Sequence, residues 1–427
     1  MICIYESHQI EKFLLKFESR RQDIPKEVRD SVGTILENVR KNGDTALYEL
    51  TEKYDGTDIR PLGLRVTEDE IEQAVQLMPP EFMDILETSA ENIRRYHEKI
   101  KLQSWTDREE GILLGQQVTP LERAGLYVPG GRAAYPSSLI MSAIPARVAG
   151  VQDVTVVSPP DRTGQIHAPI LATARVCGIK NVFRVGGAQA VGALAFGTKT
   201  IPKVDKIVGP GNIFVAEAKR QVYGLVDIDM IAGPSEVVVL ADGCADPDYV
   251  AADLLAQAEH DPLASSICVT NDSGLADRVQ QSVRKQASGL QRTQIFEASL
   301  KDWGGILVTN NWTEAIELTN RLAAEHLGLH VEHPEKTMKQ IRHAGAIFLG
   351  HYAPETLGDY WAGPNHVLPT NQTARFASPL GTSDFQKVSS IIQYSKSALQ
   401  KDAEKIMFFA NMEGFDGHAN AVKQRIK

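Results

Sequence analysis

The residues best suited to chemistry fall in four short stretches. In AAEHLGLHVEH, residues 323–333, Glu325 stands beside His326. A carboxylate next to an imidazole is equipment for general acid–base work. Neither H-E-x-x-H nor its reverse occurs there, so the helical zinc-protease motif is excluded. The other two histidines of the stretch, His330 and His333, read as surface residues. In DLLAQAEHDP, residues 253–262, Gln257 and His260 are three apart. On a helix that spacing puts both on one face, where an amide oxygen and a ring nitrogen can meet one cation. Two ligands do not make a metal site, and a polar helix end before Pro262 is the ordinary reading of the stretch alone.

Asp359 and His366 lie in LGDYWAGPNHVLPT, residues 357–370, a Gly/Pro-rich loop with two aromatics. Such loops carry binding groups on rigid scaffolds, and they also occur as bare turns. Near the end, NMEGFDGHAN (411–420) spaces Glu413, Asp416 and His418 with Gly414 and Gly417. Read alone it is a solvated tail. Together, two histidines, an aspartate and a glutamine suffice for a zinc site of nitrogen and oxygen ligands, with a Glu–His pair left for proton transfer. The four cysteines, Cys3, Cys177, Cys244 and Cys268, lie outside these stretches and form no CxxC. That argues against a thiol nucleophile and a disulfide framework, and for a reducing compartment.

A second group of residues is backbone-led. VPGG (128–131), VGGAQAVG (185–192) and GPGN (209–212) each join a strand-like run to a helix-like one. Amide groups at helix N-termini suit phosphates, and open α/β sheets bind ligands at the carboxyl ends of their strands. A phosphorylated or dinucleotide ligand fits these turns. No G-x-G-x-x-G occurs, however, and glycines that merely turn strands into helices fit as well.

These residues need elements to hold them. Ile10, Phe13, Leu14 and Phe17 recur at helical spacing, as do Val28, Val32, Ile35, Leu36 and Val39 before Gly43. Thr67 and Glu70 form a capping box flanked by the staple pair Val66 and Ile71, and 81–101 reads as a longer helix. From about residue 124, β-branched runs alternate with helical stretches: GLYVPGG, DVTVVSPP, NVFRVGG, DKIVGPGN, EVVVLAD, SSICVTND, GGILVTNN and GAIFLG. Apolar strands separated by helices predict parallel sheets covered on both faces, grouped as two α/β units on either side of GPSE at 233–236. After about 370 the chain reads as polar and irregular, then as two short helices.

The 427 residues exceed one ordinary core, so two or more domains are expected. A net charge of −9 without a basic block excludes the electrostatic footprint of a nucleic-acid binder. The longest apolar stretch is broken by Pro145 and Arg147, which excludes a membrane span. The first residues lack the basic and apolar regions of a signal peptide, so the chain is read as cytoplasmic.

With these motifs in order, the sequence resembles the histidinol dehydrogenases over nearly its whole length. The likeness is densest in GLYVPGGRAAYPSSLIMSAIPARVAGV, GPGNIFVAEAKRQVYGLVDIDMIAGPSE, VAADLLAQAEHDPLA, AAEHLGLH, GDYWAGPNHVLPT and EGFDGHA. The resemblance implies oxidation of L-histidinol through L-histidinal to L-histidine with two NAD in succession, the last step of histidine biosynthesis. It implies one zinc per subunit held by Gln257, His260, Asp359 and His418, and a catalytic pair Glu325 and His326. Ser235, His366 and Glu413 match substrate-contacting positions, which the metal ligands and His326 share. Tyr127, Gln189 and Asn212 match NAD-contacting ones. The implied fold is α/β, with two incomplete Rossmann-like domains of mostly parallel sheets and short helical segments at both ends. Its parts would be 1–24, a domain of 25–104 with 233–376 carrying most metal and catalytic residues, an NAD-contacting domain of 105–232, and a tail of 377–427. The tail would be exchanged in a homodimer, so that His418 serves the other subunit. LGTSDFQKVSS and the GFDG before His418 depart from the family pattern, which bears on tail packing more than chemistry. A relative acting on another small polar alcohol and a zinc hydrolase are the rival readings.

Overall fold

The computed structural model describes residues 2–21, 24–130 and 135–427. Residues 131–134, with the last glycine of VPGG, lie outside them. The chain opens with β1 (Ile4–Glu6) and α1 (Ser7–Glu18), then α2 (Lys26–Asn42), α3 (Asp44–Asp55), α4 (Glu68–Gln76) and α5 (Pro80–Lys99). Strands β2 (Trp105–Glu109) and β3 (Ile112–Pro120) follow. A first alternating run holds β4 (Arg123–Tyr127), α6 (Pro136–Ala149), β5 (Asp153–Ser158), α7 (Ala168–Val176), β6 (Asn181–Arg184), α8 (Gly187–Phe196), β7 (Lys206–Val208), α9 (Ile213–Val222) and β8 (Asp227–Ile228). A second holds β9 (Glu236–Ala241), α10 (Pro247–Ala258), β10 (Ser265–Thr270), α11 (Ser273–Ala287), α12 (Thr293–Asp302), β11 (Gly305–Val308), α13 (Trp312–Leu322), β12 (His326–His330), α14 (Pro334–Met338), β13 (Ala346–Leu349) and α15 (Glu355–Tyr360). The end is β14 (Gln386–Tyr394), α16 (Lys396–Met412) and α17 (Asp416–Ile426).

Two parallel sheets dominate. One has the order β6-β5-β4-β7-β8 and the other β1-β11-β10-β9-β12-β13. Leaving β1 aside, both place their strands in the same sequence, third-second-first-fourth-fifth, as a doubly wound sheet does. Each is covered on both faces, and the period of two sorts the side chains. Leu126, Val156 and Val182 pack under α4, α5, α6 and α7, while Tyr127, Val157 and Phe183 pack under α2, α3, α8 and α9. In the other sheet Val237 and Val239 face α10, α11 and α12, while Val238, Leu240, Leu327 and Leu329 face α1 and α13.

All eight expected strands are present, and the expected helices, capping box and staple form as read. Four features differ. The first segment begins with a strand, β1, which pairs with β11 and extends the six-stranded sheet. Helices α2 to α4 pack on the five-stranded sheet, so the grouping of 25–104 with 233–376 is not the packing found. Helix α5 reaches across, where Ser89 Oγ and Asn92 Nδ2 donate to the carbonyls of Tyr360 and Trp361. The irregular region after 370 contains β14, which pairs antiparallel with β3 to make a third sheet, β14-β3-β2. Finally, AAEHLGLH supplies a buried strand, β12. Among the described residues no helix is long and apolar enough to cross a membrane, and Cys177, Cys244 and Cys268 are free.

Candidate active site

The Glu325–His326 pair owes its place to a backbone reversal. Ala323 ends α13 in the left-handed region at φ +46. The chain then enters the sheet between β9 and β13, so both side chains start a central strand. Leu327 and Leu329 point to the α1 and α13 face, so His326, Gly328 and His330 point the other way, toward α10.

The backbone of one residue, Glu236, holds both catalytic candidates. The Glu236 N–H donates to Glu325 Oε2 at 2.8 Å, and the Glu236 carbonyl lies 3.2 Å from His326 Nδ1. That carbonyl can only accept, so Nδ1 carries the proton and Nε2 keeps its lone pair. His326 Nε2 is buried, has no hydrogen-bond partner among the described residues, and lies 3.9 Å from Asp359 Oδ1. Glu325 and His326 are each 6% exposed. Burial raises the Glu325 carboxyl well above its ordinary value, and the charges of Glu236 and Asp359 add to this against the Glu236 N–H and Arg20. Burial also lowers the pKa of His326, over the opposing pull of Asp359. The pair is therefore a poorly solvated acid beside a neutral ring.

Gln257 lies in the last turn of α10, 1% exposed, and its side-chain nitrogen has no partner among the described residues. The helix stops at Ala258, so His260 is not on the same helical face as expected. It is exposed in the following turn, where its N–H meets the Gln257 carbonyl at 3.3 Å. Asp359 sits on α15. His366 leans on the Ser137 backbone at the start of α6, and burial lowers its pKa, with Asp359 opposing and His260 assisting. The neighbouring Asn365 donates to the Met141 carbonyl at 2.6 Å. The 357–370 loop thus closes the site against the other sheet's helices. Ser235 is half-buried beside Glu236, its carbonyl accepting from Ser265 N–H at 3.0 Å.

The tail does not join this cluster within the chain. Helices α16 and α17 follow β14, and Ser395 N–H bonds the Gly111 carbonyl at 2.7 Å, which fixes their start to the three-stranded sheet. Glu413 and His418 are exposed, and the ring of His418 lies against Phe415. Among the described residues no group of three or more His, Cys, Asp or Glu side chains gathers as a metal cluster.

The glycine-led residues do come together. Tyr127, Gln189 and Asn212 line one cavity of about 630 Å³, with Gly130, Pro159, Pro160, Arg162, His167 and Phe214. It opens at the carboxyl ends of β4, β6 and β7, on the switch point between β4 and β7. Asn212 caps α9, accepting from Phe214 N–H at 3.0 Å and Val215 N–H at 3.2 Å. The Tyr127 hydroxyl accepts from Gly187 N–H at 3.1 Å, and burial pushes its pKa up to about 12. Gly209, at φ +116, is required: a Cβ there would lie 2.1 Å from the Tyr127 carbonyl. The turn is held from behind by buried Lys219, which bonds the Gly209 carbonyl at 3.1 Å and pairs with Asp229.

The sequence model of the family described as histidinol dehydrogenase matches residues 18–426. The chain belongs to the histidinol dehydrogenase family. It is 53% identical over 400 residues to a histidinol dehydrogenase of Halalkalibacterium halodurans, covering 93% of this chain and 94% of that one. The likeness to that of Bacillus subtilis is 52% over 401 residues, 93% of each chain. The crystal structure of histidinol dehydrogenase from Elizabethkingia anophelis superposes with a TM-score of 0.95 at 36% identity, covering 100% of this chain and 98% of that one.

Several residues at the site carried no sequence signal. Glu236 is one, since its role is that of its peptide; another is Arg20, 3.6 Å from Glu236 Oε1 and bonded to the Leu263 carbonyl at 2.8 Å. Reading His330 as a surface residue was wrong: it is 2% exposed and its Nε2 meets Asp253 Oδ2 at 2.9 Å. The alternation along β12, once that strand is recognised, puts it on the same face as His326. His333 is exposed as read. Burial pushes the thiols of Cys177 and Cys268 up to about 12, which agrees with the absence of a thiol nucleophile in the scheme.

Proposed function

We propose that the chain oxidises L-histidinol to L-histidinal and then to L-histidine, as the last step of histidine biosynthesis. In this reading it uses zinc and two NAD in succession and works as a cytoplasmic homodimer. The single observation that carries the reading is the Glu325–His326 pair, aligned by the backbone of Glu236, with His326 Nε2 unpartnered among the described residues. The residues present fit a zinc ion. The Gln257 side-chain amide is buried, and its nitrogen has no partner among the described residues. That amide, His260 and Asp359, with His418 from a second copy, give two imidazoles, one amide and a single carboxylate. Zinc there would supply a Lewis acid that holds the substrate's imidazole and amine in place. NAD in the cavity lined by Tyr127, Gln189 and Asn212 would supply the hydride acceptor for each oxidation.

The chain's own residues do the proton work. As the first hydride leaves carbon, His326 Nε2 takes the alcohol proton and the aldehyde forms. Glu325 then takes a proton from water, whose oxygen adds to the aldehyde carbon, and His326 returns its proton to the former carbonyl oxygen. The hydrate loses the second hydride while His326 takes a hydroxyl proton, leaving the acid. Ser235, His366 and Glu413 complete the substrate contacts. The exposed apolar tail supports a shared site: Phe408, Phe409 and Met412 are 69%, 68% and 71% exposed. Such a patch calls for a covering surface, and a second copy supplies one. The test is NADH formation, read by absorbance, on mixing the protein with histidinol and NAD. Turnover should vanish with a chelator and return with zinc. Formation of product without any NADH would replace this reading by a hydrolase.

A further inference from the structure

The cofactor cavity has a wall that comes from neither the strands nor their glycine turns. Ser31 and Ile35 of α2 and Tyr54 and Asp55 at the end of α3 line it, opposite the N-termini of α8 and α9. The two sides differ in chemistry. The sheet side offers helix N-termini, Arg162 and His167, which suit phosphate oxygens. The outer side offers aromatic surface and one carboxylate. Tyr54 and Phe214, 51% and 39% exposed, stand with Pro159 and Pro160 as flat apolar surfaces for a base. Asp55 Oδ2 is buried, and among the described residues it has no hydrogen-bond partner.

A buried carboxylate oxygen without a donor costs free energy unless a ligand meets it. Burial alone pushes the Asp55 carboxyl up to about 6. As the last residue of α3 it also sits at the negative end of that helix, which adds to the cost of the ion. Among the described residues no donor relieves it. A dinucleotide carries the complementary group: two ribose hydroxyls next to the base that Tyr54 would stack on.

We propose that Asp55 accepts the hydroxyls of the adenosine ribose and so selects NAD over NADP, whose 2′-phosphate would meet a carboxylate. This rests on the reading of the cavity as the dinucleotide site. Dinucleotide-binding sheets commonly place such an acid about twenty residues past their glycine fingerprint. Here it would come from a helix outside the sheet, which accounts for its having no motif to anchor it.

The test is equilibrium binding of NAD, NADP and ADP-ribose to the full-length protein and to Asp55→Asn and Asp55→Ala, by calorimetry. The wild type should prefer NAD by about a hundredfold, and each variant should lose about tenfold or more for NAD and ADP-ribose, with NADP little changed. In turnover, KM for NAD should rise with kcat kept. The isosteric Asp55→Asn keeps the fold, which an unchanged thermal midpoint would verify. Hydrogen exchange separates the two ways to fail. If NAD protects the amides of 187–189 and 212–215 but Asp55→Asn binds both nucleotides as the wild type does, the role of Asp55 is overturned. If NAD gives no protection there, the cavity is not the dinucleotide site and the inference falls with it.

Discussion

Tyr127, Gln189 and Asn212 gather at the carboxyl ends of β4, β6 and β7, whereas Glu325 and His326 stand at the amino end of β12. The two sheets share a strand order, yet their sites lie at opposite ends of their strands. They also differ in self-sufficiency. Around the cavity the chain meets most of its own polar needs, through the Asn212 cap, the Tyr127–Gly187 bond and the Lys219–Asp229 pair. At the catalytic cluster His326 Nε2, His366 Nε2 and the Gln257 side-chain nitrogen have no partner among the described residues, and Glu413 and His418 lie elsewhere. The first region is nearly finished by folding, with Asp55 Oδ2 as its exception among the described residues. The second is built to be finished by what binds, which leaves its polar groups unpaired in the free chain.

The largest effects should come from breaking the catalytic side. His326→Ala should lower kcat for both oxidations by about a hundredfold or more, since it removes the base proposed to take the proton in each. Glu325→Gln should spare the first oxidation and slow the second by a comparable factor, measured with L-histidinal supplied directly. Equal loss in both steps would show that the two residues do not divide the work.

The tail gives the next prediction. His260→Ala and His418→Ala chains should each be inactive alone. Mixed and allowed to exchange, they should recover activity approaching half per heterodimer, because one site then holds all four proposed ligands. Heterodimers that form, by mass spectrometry, yet stay inactive would mean that the tail serves its own chain.

How far the sequence reaches follows the same division. The eight apolar strands and the first helices were legible because burial on two faces and 3.6-residue periodicity leave strong patterns. Strands β2, β3 and β14 were not, because a largely exposed sheet leaves none: every residue of β2 is exposed. His330 was misread because Gly328 disguised a buried strand. At the site, Glu325, His326, Asp359 and His366 could be proposed from residue type and family likeness. Glu236 could not, since it acts through its peptide, nor could Arg20, whose only signal is three-dimensional.

On the cavity side, stability is the sensitive quantity. Lys219→Met would leave Asp229 buried and unpaired, at a cost of about 3–5 kcal/mol. It would also free the Gly209 carbonyl and loosen the turn beneath Asn212, so NAD binding should weaken together with the thermal midpoint. Loss of stability without any change in NAD affinity would detach that ion pair from the cavity.

The smallest effect carries the contrast furthest, because its sign is reversed. Gln257→Met keeps the side chain's length and removes a buried amide end that has no partner. Leaving such a group unsatisfied costs about 1–3 kcal/mol, and methionine fills the same space without it. In chelator-treated protein the variant should therefore be as stable as the wild type or about 1 kcal/mol more so, by denaturant unfolding. Zinc should then raise the midpoint of the wild type far more than that of the variant, since a ligand that binds only the folded state stabilises by its affinity. A variant that loses stability in metal-free protein would show that Gln257 serves the fold, and that the catalytic side is as self-sufficient as the cavity.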